Sequence, residues 1–185
     1  MITNIRGTSG SGKTTVIKRI LDSSACAVTT VFGPDEDTVH AKVLGYTVSK
    51  GDVQLRVVGR YATPCGGCDG IKTQQETEDR VRLWHAQGYH VVFEGLLIST
   101  IYGRWAKLAK ETGMRTLFLD TPEEECVQRV INRRSERGVE KPLNETNTRT
   151  KWHLMGHLYQ RFKADGLYAE LVNMNTITFE SLTKE

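Results

Sequence analysis

The sequence has no long apolar run. Its longest stretch without a charged residue is Ser23 to Pro34, too short and too polar to span a bilayer. The N-terminus shows no charged region followed by an apolar core and a cleavage site, so no secretion signal is expected. Four cysteines in 185 residues are too few for a disulfide scaffold. Internal repeats, low-complexity tracts and a convincing domain linker are also missing. These absences exclude a membrane-spanning chain, a repeat array and a disulfide-stapled module. They leave the expectation of a cytoplasmic protein with reduced thiols, built as a single domain over residues 1–185.

An apolar fraction of 38% is enough to build a core. Charge is nearly balanced overall, 25 basic against 22 acidic residues for a net +3, but it is unevenly placed. Between Val127 and Lys163 nine basic residues stand against three acidic ones, so this segment alone carries +6. Such a local excess attracts phosphate; it is equally the pattern of a solvated helix surface.

Apolar periodicity predicts alternating strands and helices. Strands are expected at 1–6, 27–32, 89–93, 114–119 and 176–179. Helices are expected at 14–22, 73–87, 101–112, from about 121 to 137, and 148–164. Thr121-Pro122-Glu123-Glu124 reads as a helix start with Thr121 as N-cap and Pro122 in the first turn. Residues 42–49 and 53–61 read as a hairpin about Lys50-Gly51-Asp52, inserted ahead of a Gly- and Cys-rich loop. The expected fold class is α/β: a mostly parallel sheet flanked by helices, with the hairpin and acceptor-site loop at about 42–70.

One motif is specific. Gly7-Thr8-Ser9-Gly10-Ser11-Gly12-Lys13-Thr14 matches G-x-x-x-x-G-K-S/T between an expected strand and an expected amphipathic helix. Glycines let several backbone N–H groups face one anion, and the helix N-terminus adds positive potential. In such a loop Lys13 reaches the outer phosphates and Thr14 offers its hydroxyl to Mg²⁺. Gly7 through Thr14, with Thr15, are therefore the expected ATP contacts. The motif resembles that of the P-loop NTPases and implies their fold.

Within that group three features favour a kinase. The chain has no room for motor machinery. It contains no Asn-Lys-x-Asp base-reading motif, which argues against a GTPase. Arg129, Arg133, Arg134 and Arg137 form an arginine-rich helix end, the composition of a lid over 129–147 that closes on phosphates and excludes water. Arg129 is expected at the nucleotide, and Arg133, Arg134 and Arg137 at the transferring group. Two carboxylates are candidates for the chemistry. Glu94 ends an apolar strand, where the ligand crevice of a parallel sheet opens, and is the candidate Mg²⁺ ligand, directly or through water. Asp69 is the candidate general base; the competing reading is a loop Asp that caps the helix starting near Thr73. Asp120 reads as structural.

Cys65-x-x-Cys68 admits a zinc site, a redox pair or a loop of small residues that lets a substrate approach closely. No second Cys-x-x-Cys supports zinc, and no thioredoxin-like context supports a redox pair, so the close-approach loop is favoured.

Cys65-Gly66-Gly67-Cys68-Asp69, Phe93-Glu94-Gly95 and Asn132-Arg133-Arg134, together with the phosphate loop, resemble a group of small phage-encoded P-loop kinases similar to thymidylate kinases in fold. The resemblance implies ATP and Mg²⁺ as cofactors and DNA containing 5-hydroxymethyluracil as partner. The acceptor would be the 5-hydroxymethyl group, in thymidine hypermodification. It implies that Asp69 activates that oxygen and that Arg133 to Arg137 steady the γ-phosphate, in host cytoplasm. Trp84, Trp105, Trp152 or Tyr159 would then be available to stack on an extruded base, although such large rings more often pack in the core. A net charge of +3 is modest for such a partner, and no recognised DNA-binding module is present. Two alternatives stay open: a kinase of a free nucleoside, nucleotide or other metabolite, and an ATP-binding switch without transfer.

Overall fold

A computed structural model describes residues 1–33, 42–63, 66–139 and 143–184. Seven strands form one sheet: β1 (Ile2–Arg6), β2 (Ala27–Gly33), β3 (Lys42–Lys50), β4 (Val53–Val58), β5 (His90–Glu94), β6 (Arg115–Leu119) and β7 (Ala169–Val172). Their order across the sheet is β2-β3-β4-β5-β1-β6-β7. From β4 to β7 every pairing is parallel. The expected hairpin extends one edge as an antiparallel meander, β2 against β3 and β3 against β4.

The central strand explains where the site lies. All five residues of β1 are buried between β5 and β6, as parallel sheets covered on both faces require. Three of them are polar: Asn4 Nδ2 donates to Phe93 O at 3.2 Å and Arg6 Nε to Asn4 Oδ1 at 2.7 Å, whereas Thr3 Oγ1 and Arg6 Nη2 have no hydrogen-bond partner among the described residues. Ile5 lies in register with Glu94, so the phosphate loop and the acid at the end of β5 emerge side by side.

Helices cover both faces. On one lie α1 (Lys13–Leu21) and α7 (Phe179–Thr183), whose Val16, Ile17, Ile20, Phe179 and Leu182 pack with Ile5, Val57 and Val92. On the other lie α2 (Gln74–Ala86), α4 (Gly103–Thr112) and α6 (Glu145–Ala164), which bury Trp84, Trp105 and Phe162 against Val91, Phe93 and Phe118. Two further helices follow strands: the short α3 (Leu96–Thr100) after β5, and α5 (Glu123–Glu136), about four turns long, after β6. No helix among the described residues is long and apolar enough to cross a membrane.

Three local expectations are corrected. The last strand is Ala169–Val172; Thr176 to Phe179 instead leaves a 3-10 turn and enters α7. The helix after β6 starts one residue later than expected, with Pro122 as N-cap. Thr121 is not a cap because its hydroxyl donates to Ser11 O at 2.8 Å, tying β6 to the phosphate loop. Finally, α3 was not expected from periodicity at all.

Candidate active site

The site is a cavity of about 600 Å³ at the C-terminal ends of β1 and β5. Ser9, Gly10, Gly12, Lys13, Thr14 and Thr15 form one wall, and Gly66, Asp69, Glu94 and Leu96 another. Arg129, Arg133 and Met174 close the third side.

The phosphate loop is held from outside. Gly10 has φ +80, and a side chain there would meet Cys126 O at 2.2 Å. Only glycine lets the loop press so closely on α5. Arg129 Nη1 donates to Gly10 O at 3.3 Å, and Arg129 also pairs with Glu125. Lys13 Nζ donates to Gly7 O at 2.8 Å and Thr8 O at 2.9 Å. Burial lowers the Lys13 pKa, and the Glu94 and Asp69 carboxylates push it back up. Gly7, Thr8 and Ser11 do not line this cavity; Thr8 and Ser11 line a second one, of about 270 Å³, behind the loop.

Glu94 is buried, and burial pushes its carboxyl up to about 7 against the opposing pull of Lys13. Thr14 Oγ1 donates to Glu94 Oε1 at 3.1 Å, so the two expected metal ligands already meet. Gly67 (φ +86) lies directly on this carboxylate: a Cβ there would fall 2.4 Å from Glu94 Oε1. The acceptor loop therefore packs its backbone against the acid at the end of β5. The phenol of Tyr61 is buried beside the same carboxylate, which together with burial raises its pKa.

Asp69 does not cap the helix that the sequence offered it. It is a helix cap, but not of α2, whose N-cap is Thr73 accepting from Glu76 N at 3.0 Å. Asp69 Oδ2 accepts from Leu96 N at 2.8 Å and Oδ1 from Leu97 N at 3.1 Å, so it fastens α3. Each carboxylate oxygen retains a further lone pair, and the group faces the cavity with Lys13 and Glu94. Helix α3 is in turn bolted to the phosphate loop. Ser99 Oγ accepts from Gly7 N at 3.3 Å and donates to Gly95 O at 2.8 Å. Arg6 Nη1 donates to Ser99 O and Ile101 O at 3.3 and 3.1 Å.

Of the four expected lid arginines, Arg129 and Arg133 line the cavity, whereas Arg134 and Arg137 are not among its lining residues. Part of the 129–147 segment, residues 140–142, lies outside the described residues, as does Cys65. Cys68 is buried with its Sγ donating to Val58 O at 3.7 Å, and burial pushes its thiol well up. Among the described residues no cluster of three His, Cys, Asp or Glu could hold a metal. Trp84 and Trp105 are core residues; Trp152 and Tyr159 line the second cavity, where Trp152 Nε1 donates to Thr121 O at 2.9 Å. None of the four aromatics reaches the phosphate cavity. Asp120 likewise lines only the second cavity. The sequence reading missed Arg6, Tyr61, Ser99 and Met174, none of which belongs to a local motif. A charged Arg6 at the end of the strand that enters the phosphate loop was the one available signal.

A phosphate loop on the central strand, an acid at the end of the adjacent strand and arginines from the next helix define a P-loop phosphotransferase. A family model described as "AAA domain" matches residues 2–152. The "5-hmdU DNA kinase" of Pseudomonas phage PaMx11 is 36% identical over 159 residues, covering 82% of this chain and 79% of the relative. Its namesake in Pseudomonas phage M6 is 32% identical over 171 residues, 88% and 86% respectively. The namesake in Bacillus phage SP10 is 30% identical over 176 residues, 90% of this chain but 26% of that longer protein. The chain belongs to this family of phage P-loop kinases.

Proposed function

We propose that the protein transfers the γ-phosphoryl group of ATP to the 5-hydroxymethyl oxygen of 5-hydroxymethyluracil in DNA, in the cytoplasm of a phage-infected cell. The observation that carries this reading is the placement of Asp69, Glu94, Lys13 and Thr14 around one cavity, in a chain whose relatives bear that activity in their names.

The residues fit a divalent cation. Thr14 and Glu94 offer two oxygens in contact, and a buried carboxyl raised to about 7 is a group that a nearby positive charge would return to its ionised form. Thr14 and Glu94 would hold Mg²⁺, which when bound neutralises charge on the phosphate oxygens. The backbone of Gly10, Gly12, Lys13 and Thr14 cradles the phosphates, and Lys13 turns from its loop carbonyls to the outer phosphates. Asp69 accepts the proton of the hydroxymethyl group as its oxygen bonds to the γ-phosphorus. The bond from that phosphorus to the β,γ-bridging oxygen breaks, leaving ADP. Arg129 and Arg133 balance the charge that spreads over the phosphoryl oxygens.

The basic segment contributes less to DNA binding than its charge implies. Arg149 is engaged by Glu123, Glu124 and Glu145, and Arg129 by Glu125. The test is transfer of γ-labelled phosphate from ATP to DNA carrying 5-hydroxymethyluracil, to thymine DNA and to free nucleosides and nucleotides. Label on the modified DNA alone is expected. Label only on a small molecule would replace this reading with a metabolite kinase.

A further inference from the structure

An exposed leucine is ordinarily uninformative; Leu97 differs in where it stands and how it is held. It is 59% exposed, yet its backbone is fixed on both sides. Its N–H is bonded to Asp69 Oδ1 at 3.1 Å, and its carbonyl accepts from Thr100 Oγ1 at 3.0 Å. Its neighbour Leu96 lines the cavity. An apolar side chain is thus presented to solvent one residue beyond the cavity wall, on backbone bonded to the carboxylate proposed to activate the acceptor. Ile101, at 37% exposure, follows in the same segment. Arg60 lies on the adjoining chain, where its carbonyl accepts from Gly67 N at 2.9 Å. It is exposed, and its guanidinium makes no ion pair among the described residues.

Stacked in a duplex, a 5-substituted uracil carries its substituent at the groove wall. Asp69 and Glu94 sit within a cavity, so the base must leave the stack to reach them. Extrusion leaves a gap, and proteins that unstack DNA fill such gaps with an apolar side chain, while cations hold the flanking phosphates. None of the four large aromatics considered above reaches this cavity, which leaves Leu97 to do it. We propose that Leu97 is a wedge that enters the base stack when the target nucleotide is extruded, with Arg60 on an adjacent phosphate. This rests on DNA being the acceptor.

The test compares one oligonucleotide containing 5-hydroxymethyluracil as a single strand and as a duplex, at fixed salt, with wild type and Leu97→Ala. A wedge matters only where there is a stack to open. Leu97→Ala should lower kcat/KM on the duplex about tenfold, a wedge offsetting only part of the few kcal/mol that unstacking a step costs, and leave the single strand within about twofold. A 2-aminopurine beside the target should brighten when wild type binds the duplex and stay dark with Leu97→Ala. Arg60→Ala should flatten the salt dependence of duplex binding by about one unit of slope. Equal losses on both substrates, no loss on the duplex, or a wild type active on single strands alone would each overturn the wedge. A wild type that labels only free nucleosides or nucleotides would instead overturn the DNA reading beneath it.

Discussion

The two sides of the cavity are built in different ways. The donor side is local: Gly7 to Thr14 is one run of chain, and Lys13 bonds carbonyls five and six residues before it. The acceptor side is assembled. Asp69 reaches α3 across 27 and 28 residues, and Gly67 presses on a carboxylate from another strand. The loop's anion-facing groups are contiguous in sequence, even though Ser99, Thr121 and Arg129 brace it from outside. An assembled wall exists only when the sheet around it is complete. Binding ATP and activating the acceptor should therefore be separable by mutation, although both depend on the same cavity.

The strongest test of that separation is Asp69→Asn. Loss of a positioned base costs about 10²–10⁴-fold, so single-turnover transfer should fall by that amount while ATP affinity by titration stays put. The amide oxygen can still accept one α3 N–H, so the thermal cost should stay near the ~1 kcal/mol of a weakened cap. If ATP affinity falls in parallel, the two sides are one unit. Lys13→Ala is the complementary break. Losing an electrostatic donor to the transferring group costs about 3–4 kcal/mol, here with weakened ATP binding and an unchanged affinity for acceptor DNA. Near-normal turnover would remove the phosphate loop from the chemistry.

Glu94 sits where the two sides meet, and its protonation sharpens the comparison. Its carboxyl is raised from 4.5 to about 7 by burial. An unfolded chain ionises this group above 4.5, whereas the folded one holds its proton until about 7. Stability is therefore lost as pH rises through that window, and the full cost, about 3 kcal/mol at 1.4 per unit, is present above it. Glu94→Gln should melt later than wild type above pH 7 in the absence of nucleotide and metal, with no such gain near pH 4, and should lose turnover. A variant that melts earlier at pH 8 would mean that the carboxylate holds the loops together rather than straining them.

The same contrast explains what was legible in the sequence. The phosphate loop was, because its residues are contiguous and their spacing is the chemistry. Glu94 was, because it ends an apolar strand. Helix α3 was not: its five residues owe their fold to Asp69, Ser99 and Arg6, which come from distant positions or carry no periodic signal. The edge strand Ala169–Val172 is too short and too mixed to show alternation. Ile177 and Phe179 looked like a strand because both are core residues, but they are buried from a turn and a helix. Arginines four apart were legible as one face, yet only packing decides that Arg129 and Arg133 face the cavity.

The smallest expected effect concerns the bolt between the two sides. Ser99 is fully buried and joins them through one oxygen, which accepts from Gly7 N on the donor side and donates to Gly95 O beside the acceptor loop. Ser99→Ala leaves the Gly7 N–H buried without that partner, a penalty of about 1–2 kcal/mol, readable as a lower denaturant midpoint at unchanged slope. Arg6 still grips the carbonyls of residues 99 and 101, so α3 should stay in place. The informative quantity is where the remaining loss goes. If Ser99 belongs to one side, only ATP affinity or only the transfer step will move. If it sets the spacing between phosphate loop and Asp69, both will move by a similar small factor, and restoring the hydroxyl with Ser99→Thr should recover both together.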